Sequence, residues 1–182
     1  MIKTITKAVS FNNSAIIGIC TQMDDYKFAH FLNKSLNANF IKCPDVTNDD
    51  GNCFSYYYCN CGENDLVYSL VSLRRNTVRW NNAFRQYDYF LIIRQCYSEE
   101  TLTRIVNKIK NIDGVLLTVR LNYKNENEPK IKEKKKTGEA SREILFVEDK
   151  TDNYQYFLDI LDEHEEIIAS QWRSSFNKPK NS

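Results

Sequence analysis

The stretch QYDYFLII, Gln86 to Ile93, sets an aspartate between two tyrosines at the start of an apolar run. Side chains alternate along an extended strand, so Tyr87, Tyr89, Leu91 and Ile93 should face one way and Asp88, Phe90, Ile92 and Arg94 the other. Both faces are then largely apolar, the pattern of a central strand buried on two sides. An unpaired carboxylate at the mouth of such a strand is costly. Asp88 therefore needs a partner, and backbone amides or an arginine of the preceding loop (Arg75, Arg79 or Arg85) are expected to supply it. The functional alternative is a ligand-binding or acid/base carboxylate held at a sheet end.

Working outward, the N-terminal side holds the β-branched run Ala15–Ile19 and then Thr21-Gln-Met-Asp24, which has the spacing of a capping box. A helix should follow, with Asp24 and Asp25 in its first turn and Phe28, Ala29, Leu32 and Leu36 on one apolar face. From Asn39 the period changes to two. Strands are expected at Phe40–Cys43, Cys53–Cys59, Leu66–Leu73 and Asp88–Ile93, with turn signals in Asn48–Gly51 and Cys61–Asp65. The connection around Gly62 is too short for a parallel crossover, so its flanking strands should pair antiparallel. Ser98 then caps a second helix that runs to Ile112, with Glu99 and Glu100 early, Lys108 and Lys110 late, and Leu102, Ile105, Val106, Ile109 and Ile112 as its buried stripe. Asp113-Gly114 closes it, and Val115–Leu121 reads as another strand.

This order predicts an α+β fold: a mostly antiparallel sheet with two helices on one face, plus a C-terminal helix appended through a charged linker. Three units are expected, a core domain over 1–123, a linker or extended loop over 124–142, and a C-terminal strand and amphipathic helix over 143–182. NENEPKIKEKKK, Asn125 to Lys136, has too few apolar residues to order itself. Beyond it, Ile144–Val147 suits a strand and Asn153–Trp172 a helix carrying Phe157, Leu161, Ile168 and Trp172 near one face. Such a helix docks on its own domain or on a partner, and covering its own sheet is the expectation.

Composition narrows the function classes. The 182 residues carry 25 Lys and Arg against 24 Asp and Glu, so a net charge of +1 gives no global attraction to nucleic acid or anionic lipid. The longest apolar run near the N-terminus, Ala15–Cys20, is too short for a signal-peptide core or a membrane span, and a cytoplasmic protein without a membrane partner is expected. In a chain of this size the six cysteines are expected to be reduced thiols.

Several segments carry a family resemblance. IIGICTQMDDYKFAHFLNKSL, FSYYY, YSLVSL and YDYFLIIRQ, in that order, make the chain similar to the IPExxxVDY family of bacterial proteins, known from the Bacteroidetes group. Asp25, Tyr26, Lys27, Ala29, Leu32, Asn33 and Lys34 match its helix pattern, and Asp88 and Tyr89 match the end of the naming motif. The first three motif positions fall on Asn81, Asn82 and Ala83 and the valine on Tyr87, so the Pro and Glu are absent. The resemblance, over roughly residues 15–123, implies a cytoplasmic bacterial protein and brings no activity with it.

The chemistry-bearing residues give no catalytic constellation. Cys53, Cys59 and Cys61 could offer thiolates to zinc but lack paired CxxC spacing; with only His30 and His164 as imidazoles, neither a metal nor a cofactor is expected. Neither histidine suggests a triad, and no phosphate-binding loop, dinucleotide turn or zincin helix occurs. Phe54, Tyr56 and Tyr58 alternate onto one strand face and could form an aromatic platform for RNA bases, with Arg74, Arg75 and Arg79 beside it. Aromatic strands also build ordinary cores. The favoured reading is a non-enzymatic protein that binds a protein partner or self-associates, with Arg74, Arg75, Arg79, Trp80, Tyr87, Asp88 and Tyr89 as the candidate surface. RNA binding and a small-ligand or enzyme site near Asp88 are the alternatives.

Overall fold

The structure is a computed structural model that describes residues 14–60, 66–94, 98–121 and 151–176, the side chains of 151, 152 and 172–176 excepted. Eight strands are described: β1 (Ala15–Thr21), β2 (Ile41–Thr47), β3 (Cys53–Cys59), β4 (Val67–Ser72), β5 (Arg74–Arg75), β6 (Val78–Arg79), β7 (Tyr89–Arg94) and β8 (Val115–Leu121). The helices are α1 (Asp25–Leu36), α2 (Glu99–Lys110) and α3 (Thr151–Phe176). Six strands form one sheet in the order β2-β3-β4-β7-β1-β8, every neighbouring pair antiparallel, while β5 and β6 make a small separate hairpin. This is the expected α+β fold.

The QYDYFLII stretch is the interior strand that its pattern predicts. Tyr89 through Ile93 are all buried, with β4 on one side and β1 on the other. Tyr89, Leu91 and Ile93 face a core shared with Phe28, Leu32 and Leu36 of α1 and Leu102, Ile105 and Ile109 of α2. Both of these helices therefore lie on one face. Phe90 and Ile92 face a second core, closed by Tyr154, Phe157, Leu158, Leu161 and Ile168 of α3. The C-terminal helix docks on its own sheet, opposite α1 and α2, and the molecule has three layers.

Local details depart from expectation where tertiary contacts outcompete local ones. Thr21 is not a helix cap: its backbone still belongs to β1, and its hydroxyl donates to the Gly114 carbonyl at 2.8 Å. The N-cap is Asp24, whose side chain makes no cap hydrogen bond. Ser98 does cap α2, accepting from the Thr101 amide, and left-handed Asn37 (φ 51°) ends α1. Tyr87 also leaves the expected alternation. Its amide donates to the Phe84 carbonyl in the turn before β7, and its ring lies in the α3-side core rather than with Tyr89. Gly18 permits this: a Cβ there would stand 2.6 Å from the Tyr87 ring. The β5–β6 hairpin, turned by left-handed Asn76 (φ 55°), lies within a stretch with no expected strand. Cys61, Gly62, the linker at 125–136, the strand expected at Ile144–Val147, the boundaries near 123 and 142, and the Trp172 side chain lie outside the described residues.

Candidate functional site

Asp88 stands where β1 ends, β7 begins and the hairpin folds over the sheet end. Its carboxylate accepts from the Thr21 amide at 3.0 Å and from the Arg79 guanidinium at 3.1 Å, with Arg74 Nε 3.6 Å away. Its backbone is equally engaged: the amide donates to the Ile19 carbonyl and the carbonyl accepts from the Leu73 amide, both at 2.8 Å. A backbone amide and an arginine of the preceding loop thus satisfy the carboxylate, as expected for a structural aspartate. With only 14% of its side chain exposed, Asp88 has little access to a reacting molecule. Arg79 is committed as well, donating to the Tyr87 carbonyl at 3.0 Å. The neighbouring Cys20 thiol donates to the Gln86 carbonyl, and burial, then the Asp88 charge, push its pKa up, so it stays a thiol.

The candidate surface is therefore divided. Arg74, Arg79, Asp88 and Tyr89 come together at the sheet end, and the exposed Arg75 adjoins them. Trp80 and Tyr87, expected as interface anchors, are core residues at 4% and 1% exposure, Trp80 packing on Phe54 and Phe157. The stacking platform is likewise closed. α3 lies over Phe54 and Tyr56, which have no exposed surface, and Tyr58 packs partly against the same core. An aromatic strand needed covering, and the C-terminal helix supplies the cover.

Tyr56 takes part in a polar cluster beneath α3 that no local pattern in the sequence announces. Glu165 accepts from the Tyr56 hydroxyl at 3.1 Å, the Ser69 hydroxyl at 2.8 Å and Arg94 at 3.0 Å, and Arg94 also reaches Asp162 at 2.9 Å. One arginine thus serves two carboxylates. Burial, against the pull of Arg94, pushes the Asp162 pKa up to about 6. His164 Nε2 lies 2.9 Å from the Pro44 carbonyl oxygen and its ring meets Tyr56 edge-on, while His30 is exposed on α1. Cys53 and Cys59 sit at opposite ends of β3, about 20 Å apart at the rise of a strand, too far to share one ion. Cys20, Cys43, Cys53 and Cys59 are free thiols. Among the described residues, no helix is long and apolar enough to cross a membrane.

Two further surfaces stand apart from these clusters. One is a polar cleft of about 260 Å³ beside the Asp88 cluster, between the start of α1 and the β5–β6 hairpin, with Tyr89 in its lining. The other is β8, the outermost strand on its side of the sheet, where Leu116 and Leu117 are 71% and 48% exposed. The opposite edge, β2, is interrupted by Pro44 and by an irregularity between Cys43 and Val46; β8 has a register shift of its own beside Leu116 but no proline. No protein-family model matches this chain, and no match is found among curated proteins.

Proposed function

We propose that this protein is a non-enzymatic binding module that works through protein contacts, and that it self-associates along β8. The observation that carries this reading is the apolar edge: VLLTVRL, Val115 to Leu121, has no proline and presents Leu116 and Leu117 to solvent. Its one charge, Arg120, is occupied by Glu99 at 2.8 Å on the α2 side.

The strand is also self-complementary. A two-fold axis through Thr118 brings Leu117 opposite Val119 of a second copy, apolar against apolar. A second copy therefore fits the apolar centre of this edge.

Sedimentation equilibrium of the full chain tests it. The wild type is expected to be a dimer, and Leu117→Lys, which adds the charge that natural edges use to resist pairing, a folded monomer. A wild type that stays monomeric up to its solubility limit overturns the proposal. The chain is also proposed as a divergent IPExxxVDY protein. What supports this is that the matching residues Asp25–Lys34 lie on α1 and that Asp88-Tyr89 opens β7.

A further inference from the structure

We propose that the cleft between α1 and the β5–β6 hairpin binds a small zwitterion, an amine and a carboxylate carried by one molecule of amino-acid size. The cleft is separate from β8 and stands or falls independently of self-association.

Size sets the first limit. Sites for drug-sized ligands run from about 300 to 1,000 Å³, and this cleft, at about 260 Å³, suits something smaller. Charge sets the second. Arg74 and Arg75 contribute from the hairpin, and Asp24 and Asp25 from the start of α1. Around the Tyr89 phenol both signs are felt at once: burial, then Asp25, oppose its ionisation, Arg74 favours it, and Asp88 and Asp24 oppose it further. Tyr89 remains a neutral hydroxyl with charges of both signs around it.

These charges are not spent on one another. Among the described residues the Asp24 carbonyl accepts from the Phe28 amide while its carboxylate makes no cap hydrogen bond, and Arg74 meets a carboxylate only through Nε, at 3.6 Å from Asp88. Arg75 donates to the Cys53 carbonyl at 3.2 Å and lies 3.7 Å from Asp45 outside the cleft, yet keeps 59% of its side chain exposed. The supports beneath are nonetheless fixed. Tyr89 donates to the Met23 carbonyl at 2.9 Å, Ser72 donates to the Arg74 carbonyl at 2.6 Å, and Asp25 is hydrogen-bonded by Ser55, Tyr57 and the Tyr26 amide. A cleft whose walls are tied before a ligand arrives loses little entropy on binding.

The mixed signs select the ligand class. A simple anion meets Asp24 and Asp25, and a simple cation meets Arg74 and Arg75, so each forfeits on one side what it gains on the other. A molecule bearing both groups pairs with both.

The test is calorimetric titration of the full chain with each of the twenty common L-α-amino acids, with acetate and methylamine as single-charge controls. At least one amino acid is expected to bind, with amide shifts at Asp24, Asp25, Arg74–Asn76 and Tyr89 in the NMR spectrum. Asp24→Asn and Arg75→Gln, both at exposed positions, should each weaken it by about tenfold or more without lowering Tm. Three outcomes overturn the proposal: no amino acid binding at millimolar concentration, acetate or methylamine binding as tightly, or affinity unchanged in both variants.

Discussion

At the scale of single residues, Asp88 and Gly18 hold the sheet end together by different physics. Asp88 joins three segments through one carboxylate, so Asp88→Asn keeps the shape, loses the charge and leaves the Arg79 bond weakened. Charge-assisted hydrogen bonds are worth about 1.5–3 kcal/mol, and a loss of that order is expected in urea denaturation, with the fold retained. A variant as stable as the wild type would show that Asp88 is held for another purpose. Gly18 acts by absence: the Tyr87 ring occupies the space a Cβ needs. Gly18→Ala should therefore cost about 1–3 kcal/mol, the usual range for overpacking a core, read as a lower denaturation midpoint with an unchanged m-value. The need for a partner at Asp88 was legible from its place at the door of an apolar run. The pairing of Gly18 with Tyr87 was not, because 69 positions separate them and only the β1–β7 register brings them together.

Among the elements, α3 is attached through a carboxylate that titrates near neutral pH. Asp162 has a folded-state pKa of about 6, above the ordinary value of 3.8, because burial, helped by the Glu165 charge, outweighs the pull of Arg94. Raising an acid's folded pKa means that the folded state holds the proton more tightly than the unfolded state. Stability from this group is therefore greatest below pH 4 and declines as pH rises through 6. Asp162→Asn should flatten the dependence of Tm on pH between 4 and 6 and leave other pH ranges unaffected; an unchanged slope in that window would assign the titration elsewhere. Helix α2 was readable to within two residues because its cap, charges and stripe are local. The underside of α3 was readable only in its apolar part, Phe157, Leu161 and Ile168. Its contacts with Arg94, Ser69 and Tyr56 join positions far apart in the chain, and periodicity carries no such information.

For the whole molecule, α3 is a layer and not an ornament. It covers Phe54, Tyr56, Trp80, Phe84 and Phe90, none exposed beyond 4%. Removing residues 143–182 would open an aromatic face of this kind to water, and the truncated chain is expected to aggregate or to bind a hydrophobic dye strongly. A soluble truncation with a cooperative unfolding transition would show instead that the two-helix side suffices. By itself the sequence determined the helices and the strands of the main sheet, the antiparallel pairing, the burial of QYDYFLII on two sides and the two helices on one face, because periodicity, caps and short connections act over a few residues. Only the tertiary structure decided which aromatic residues are core and which are surface. Trp80, Tyr87, Phe54 and Tyr56 have the chemistry of binding residues, but a sheet has two apolar faces to cover, and the helix that covers the second one arrives last in the chain.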